Sequence, residues 1–201
     1  VVVLRKALAP PLRGAAGFDA REYLAYDAEV EAVHRELGRG FSEERARRRF
    51  QRGLRFYAVR QAGATVATTW MVVEGERFVD EIGAGFPLPT GDVWIRDAFV
   101  APRHRGRRVF SAALDCVLSR GFPAASAVWS DVGRQNTASL RAHAAYGFAP
   151  VGRFTVLQLA GTVAVRLRWP AGRLRFAAHE AGRRVLLTGA SYRRFIREHL
   201  A

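Results

Sequence analysis

The sequence predicts an α/β domain followed by a basic C-terminal extension, and three observations lead there. Residues 93–159 read strand, loop, helix, strand, helix, strand, the alternation that builds a sheet with helices packed on it. A chain of 201 residues with 49% hydrophobic and 25% charged side chains can bury a sizeable core without staples. From Gly161 onward the periodicity weakens, and 41 residues hold 9 arginines and two acids. The predicted division is 1–160 for the domain and 161–201 for the extension, which either completes the sheet or makes contacts.

The elements follow from local patterns. Val1 to Leu4 is a short apolar run, broken at Pro10–Pro11. Asp19 is the predicted N-cap of a helix through about Leu37, with Gly38 and Gly40 beyond its end. Ser42 caps a second helix to about Leu54, whose early glutamates and late arginines suit the helix dipole. Its arginine run is read as a solvated face. Strands follow at Arg55–Gln61 and Thr65–Val73 around the turn Ala62–Gly63, then at Phe78–Ile82. Gly83 to Asp92, with three glycines and two prolines, reads as a loop. Val93 to Val100 is a strand, and the two-residue period puts Val93, Ile95, Asp97 and Phe99 on one face. A helix spans about Arg108 to Arg120, a strand Ala127 to Asp131, a helix opens at Asn136 and ends at Gly147, and a strand runs Phe154 to Leu159.

Charge is the outstanding bulk property, at a formal +14. Residues 1–100 hold 15 basic against 14 acidic side chains, whereas residues 101–201 hold 17 against 4. All the basic residues but Lys6 are arginine. A basic half points to a polyanionic partner: nucleic acid, an anionic membrane or a phosphorylated cofactor. The single cysteine, Cys116, excludes an internal disulfide framework and a multi-cysteine zinc site, and its place on an apolar helix stripe marks it as a packed residue. No metal site is expected, because the remaining histidines are scattered. No uncharged run reaches the roughly 18 residues of a membrane span, so the expected compartment is the cytoplasm.

Two segments carry chemistry. Val100 to Leu114 runs strand, proline, basic loop with Gly106, then helix. Successive backbone N–H groups entering a helix point one way and make an anion cradle, to which Arg103, Arg105, Arg107 and Arg108 add charge. The competing reading is a solvated basic loop. Asn136 to Phe148 is the other segment. At 100° per residue Asn136, Leu140, His143 and Gly147 fall within about 40° of one line, so Asn136 and His143 address the same cleft or the same core.

Together, Val100–x–Pro102, Arg105–Gly106, the apolar helix, the strand ending Trp129–Ser130–Asp131, and Asn136–x–x–Ser139 with Gly147–Phe148 resemble the GNAT superfamily of acyl-CoA-dependent N-acyltransferases. The likeness covers roughly Val93 to Leu159, with element order alone before it. It implies a mixed, mostly antiparallel sheet splayed between its fourth and fifth strands, flanked by helices, with acyl-CoA in the split. Val93–Val100 would be the fourth strand, and the backbone near Phe99 and Val100 would hold the pantetheine arm. Arg105, Gly106, Arg107, Arg108, Val109, Phe110 and Ser111 would wrap the pyrophosphate. Asn136 and Ser139 would face the pantetheine or adenylate side.

Two departures stand out. Where the family pattern has its later glycines, this chain has Arg108 and Phe110, whose Cβ atoms must point away from the phosphates; Phe110 is expected to narrow the pyrophosphate site. Where the family often has a tyrosine that protonates the departing thiolate, this chain has His143, read first as a contact on the CoA side and second as the acid, with Tyr146 displaced around the helix. The amine must lose a proton before attack. Asp97 is the first candidate for that base, against the competing reading of a salt-bridged carboxylate. Asp80 and Glu81 are second candidates, or ligands of the substrate ammonium. Asp131 reads as structural.

The sequence therefore implies transfer of an acyl group, acetyl first, from acetyl-CoA as co-substrate to a primary amine on a small molecule or protein terminus. A CoA-binding protein without turnover, and a basic module for nucleic acid or anionic lipid, remain as alternatives. A homodimer is open.

Overall fold

The computed structural model of the protein describes residues 1–79, 84–159, 162–168 and 184–187. Strands β1 (Val2–Ala7) and β2 (Phe18–Tyr23) come first, then helices α1 (Ala28–Glu36) and α2 (Glu43–Gln51). Strands β3 (Arg55–Gln61) and β4 (Ala64–Val72) lead to the hairpin β5 (Glu76–Val79) and β6 (Ala84–Pro87). Then come β7 (Asp92–Val100), α3 (Val109–Gly121), β8 (Ala127–Val132), α4 (Thr137–Ala145), β9 (Ala149–Leu159), β10 (Thr162–Arg168) and β11 (Arg184–Leu187).

Nine of these strands form one sheet in the order β11-β10-β9-β1-β8-β7-β4-β3-β2, and β5 and β6 pair separately. β7 and β8 are parallel, whereas the other neighbours in the large sheet are antiparallel. The parallel pairing covers only Asp92–Ile95 against Ala127–Ser130, although β7 stays paired with β4 as far as Val100. Among the described residues the pairing of β7 with β8 ends at Ile95 while β7 continues along β4 to Val100, and the sheet is splayed there. β1 lies between β8 and β9, antiparallel to both.

Each face of the sheet buries its own core. On one face Val109, Val117 and Leu118 of α3, Leu140 of α4 and Phe148 just beyond it pack against Tyr57, Met71, Val93, Ile95 and Val128. On the other, α1 and α2 pack Val30, Val33 and Ala46 against Phe56 and Trp70. A bulge on β7 decides which face each site residue takes. The register passes from Met71↔Ile95 to Trp70↔Asp97, so Arg96 is the extra residue. A bulge shifts every later side chain by one position. Val93 and Ile95 thus face α3, while Asp97 and Phe99 face α1 and α2, which corrects the single face expected from strict alternation.

The amino-terminal third differs from expectation in one more way. Asp19 does not cap a helix: it lies on β2, which pairs with β3, and its carboxylate bonds Arg120. The cap of α1 is Asp27, whose side chain accepts from the Glu29 amide at 2.8 Å. β2 has almost no β-branched residues, and it is strand because β3 offers it a partner. Ser42 caps α2 as expected. The expected loop before β7 contains β6, where Gly85 and Pro87 are tolerated in a two-stranded ribbon. Among the described residues no helix is long and apolar enough to cross a membrane.

Candidate active site

The parallel strands β7 and β8 each lead into a helix at the end where they separate, so the amino termini of α3 and α4 meet at the wide mouth of the split. The link from β7 is short and ordered. The Ala101 amide donates to the Val66 carbonyl, and one 3-10 turn follows at Pro102–His104. Gly106 takes φ +74°, then Arg108 takes φ +58° and caps α3 in the left-handed region. For a non-glycine residue that conformation costs about 1 kcal/mol. Arg108 thus keeps the backbone that the replaced glycine would favour. No side chain caps α3 and its first turn holds no acid, so its orphan amides point into the mouth beside four exposed arginines. Arg105 folds back: its Nε donates to the Val100 carbonyl at 3.1 Å and its guanidinium lies 5.5 Å from the Phe99 ring centroid.

Phe110 departs from expectation. Its ring is packed against α4, with centroids 4.6 Å from His143 and 6.3 Å from Tyr146, and it belongs to the α3 core. Its side chain is used as core rather than as a wall of the anion cradle. Val109 is buried beside it and Ser111 half-buried.

Asn136 caps α4, its Oδ1 accepting the Ser139 amide at 3.1 Å, and it is exposed at the mouth rather than turned to the core with His143. His143 is 3% exposed. Its Nδ1 lies 2.8 Å from the Ser139 carbonyl and its Nε2 2.9 Å from Ser130 Oγ. A carbonyl only accepts, so Nδ1 carries the proton and Nε2 accepts from the serine hydroxyl. Burial lowers its pKa, against the raising effect of the Ser139 carbonyl. The ring is a neutral buried connector between α4 and β8 whose one N–H is committed to the Ser139 carbonyl, so it is not placed to protonate a leaving thiolate, which corrects the acid role. The sign of the linkage is testable: a depressed folded pKa means stability is intact above the unfolded value of 6.5 and falls as pH drops through the folded value. The thermal midpoint should fall between about pH 7 and pH 5, and less steeply in His143→Gln. An unchanged slope would contradict the buried neutral ring.

Tyr146 is also occupied. Its hydroxyl donates to Asp115 Oδ1 at 2.6 Å, Lys6 Nζ sits 3.5 Å from its ring centroid, and burial raises the phenol well above its ordinary value. It too is not placed as an acid. Cys116 is buried on the α3 stripe, as expected, and burial pushes its thiol up.

On the opposite face stand two carboxylates, one on each side of the split, and arginines hold both. Asp97 receives Arg39 Nη2 at 3.0 and 2.8 Å and Arg49 Nη1 at 3.3 Å. Burial acts to raise its carboxyl, and the two guanidinium groups outweigh this and hold it below the usual carboxylate range. Such a group is a poor proton acceptor, so Asp97 is the salt-bridged carboxylate of the competing reading rather than the base. Asp131 accepts Arg77 Nε at 2.9 Å and Nη2 at 3.0 Å, and Trp94 Nε1 at 2.9 Å. Trp94 stacks on Trp129 across the β7–β8 pair at 5.7 Å. Asp80 and Glu81 lie outside the described residues.

Sequence reasoning missed Arg39, Arg49 and Arg77. Arg47 and Arg48 do form i,i+4 pairs with Glu43 and Glu44 on a solvated face. Arg49 instead turns inward over Trp70, at 5.0 Å. A signal existed: Arg49 lies three residues after buried Ala46 and next to Phe50, on the inward side of α2.

No curated protein matches the chain. Similar solved structures include a GCN5-related N-acetyltransferase from Kribbella flavida, at 17% identity over 74% of this chain and 53% of that one, with a TM-score of 0.43. A GNAT-family protein from Novosphingobium aromaticivorans is 17% identical over 74% and 59%, with a TM-score of 0.49. An aminoglycoside 6′-N-acetyltransferase from Acinetobacter baumannii is 14% identical over 71% and 98%, also with a TM-score of 0.49. The chain thus spans little more than half the length of the first two. The sequence model of the acetyltransferase (GNAT) family matches residues 25–148, from the approach to α1 through the end of α4, which is more than half the chain. The protein belongs to the GNAT acetyltransferase family.

Proposed function

We propose that the protein transfers an acyl group, acetyl first, from acyl-CoA to a primary amine. The observation that carries this reading is the continuity of one feature: beyond Ile95, where the pairing with β8 ends, β7 runs on to Val100 and straight into the arginine-rich loop and the uncapped start of α3. An extended arm carrying amides can pair with that stretch of β7, and a pyrophosphate fits the amides and arginines one turn further on. Acetyl-CoA would supply an activated thioester carbon. The chain's own part is to bind and align.

In this reading the backbone at Phe99 and Val100 holds the pantetheine arm, with Arg105 giving up the Val100 carbonyl. The amides from Gly106 to Ser111 and the side chains of Arg107 and Arg108 hold the phosphates. Asn136 and Ser139 border the same mouth through the start of α4. Alignment alone is a large source of rate, worth up to about 7–11 kcal/mol of barrier in well-oriented reactions. Asp97, His143 and Tyr146 act by positioning β7, β8 and α4 around the split. Residues 1–160 carry the reaction, the 161–201 extension adds β10 and β11 to one edge of the sheet, and the setting is the cytoplasm.

The test is release of free thiol from acetyl-CoA over a panel of primary amines, with the acylated amine identified by mass. Amine-dependent release supports the proposal. Saturable binding of acetyl-CoA with no release from any amine would replace it by a CoA-binding protein without turnover.

A further inference from the structure

On the face of β7 turned toward α1 and α2, the described residues place two guanidinium groups, Arg39 and Arg49, on one carboxylate beside the split. Asp97 supplies one negative charge to two guanidinium groups, Arg39 with two contacts and Arg49 with one longer one. The nearby carboxylate of Glu36 is committed elsewhere, accepting both the amide and the hydroxyl of Thr65 at 2.8 and 2.6 Å. Burial above all, with lesser repulsion from Arg96 and Arg39, outweighs the attraction of Asp97 and brings the pKa of Arg49 down to about 10. A half-buried cation without a full counter-charge is costly, and an anion that enters from solvent relieves the cost.

The cluster is open and lies beside the cofactor path. Arg39 retains 26% of its side-chain exposure, and its guanidinium lies over the Phe99 ring at 5.0 Å. Arg105 of the loop lies over the same ring at 5.5 Å. Phe99 therefore joins the arginine cluster to the cradle at the end of β7. Of the two guanidinium groups Arg39 is the more exposed, 26% against 19% for Arg49, and so the more accessible from solvent.

We propose that Arg39 and Arg49, held apart by Asp97, form an acceptor subsite for an oxyanion, so that the substrate is an amine that also carries a carboxylate or phosphate. Asp97 is then a positioning residue that fixes the two planar guanidinium groups. Arg39 is the specificity determinant, because an incoming oxyanion can share its donors with Asp97. An amine with several positive charges and no anion is disfavoured at this face. The proposal rests on the acyltransferase reading above for its reaction, but not for its binding preference.

Matched probes isolate the charge. A panel of amino acids, each paired with its own carboxamide, is assayed for thiol release, with phosphoethanolamine and a polyamine as further arms. In parallel, the corresponding N-acetyl amino acids and N-acetyl amino amides are titrated calorimetrically, with and without CoA. The carboxylate member of a pair is expected to be favoured by about tenfold or more in kcat/KM or in affinity. In Arg39→Gln that ratio should collapse to within about threefold, while Arg39→Lys retains part of it. Phosphoethanolamine above the amino acids would assign the subsite to phosphate, and amino acids above it to carboxylate. Equal treatment of acid and amide, a preference for the polyamine, binding of neither pair member, or an unchanged ratio in folded Arg39→Gln would overturn the proposal. Failure of acetyl-CoA to bind would remove the reaction, and the titrations would still decide the oxyanion preference.

Discussion

Asp131→Asn is expected to destabilise the fold by about 3 kcal/mol, because it removes the charge from a carboxylate that accepts two N–H groups of a buried guanidinium. Arg77 is 1% exposed and Asp131 14%, and they meet through two parallel N–H···O contacts that tie the β5–β6 hairpin to β8. Breaking such a pair from one side is far more costly than removing both partners. The double variant Arg77→Met/Asp131→Leu should therefore recover much of the loss. Urea unfolding monitored by tryptophan fluorescence reads both. A loss below about 1 kcal/mol in the single variant would mean that the hairpin is not anchored through this pair.

Asp97→Asn is expected to lower stability by about 2 kcal/mol, less than Asp131→Asn because the cluster is partly exposed and keeps hydrogen bonds to the amide. The linkage has a definite sign. The folded pKa of Asp97 lies below its ordinary value of 3.8, so its stabilisation is present above 3.8 and is lost as pH falls through the lower folded value. The acid limb of the stability curve should flatten in the variant. For catalysis the same assignment predicts that the shape of the rate profile between about pH 5 and pH 9 is unchanged, since a carboxylate ionised throughout that range contributes no titration there. Disappearance of one limb of that profile in Asp97→Asn would restore Asp97 as the base.

The parts of the fold set by local signals could be read directly. The Ala62–Gly63 hairpin turn, the Ser42 cap, the stripe of α3 and the Gly147 helix end are local, and all occur as expected. The places where reading failed depend on pairing across the chain. β2 is strand because of β3, and the Arg96 bulge arises from register against β4. A bulge leaves no sign in a pattern of alternating side chains, yet it moved Asp97 and Phe99 to the opposite face. The loop and helix start proposed as the anion cradle could be placed because they lie in one stretch, Val100 to Ser111. Roles that depend on partners were not legible. Asp97 meets Arg39 and Arg49, which lie 58 and 48 residues away. His143 meets Ser130 from the far end of β8. Phe110 shows the same limit: the sequence places it in the loop pattern, and only the packing of α4 shows that its ring belongs to the core.

The central claim is that the split and the loop before α3 form a CoA site, and calorimetric titration with acetyl-CoA tests it most directly. The account predicts saturable binding at one site per chain, weakened about tenfold or more when Arg107 and Arg108 are both replaced by alanine, as expected for losing two charge-assisted phosphate contacts. Bound at 100 times its dissociation constant, the ligand should also stabilise the fold by about 2.7 kcal/mol. No heat of binding and no stabilisation at millimolar acetyl-CoA would contradict the account.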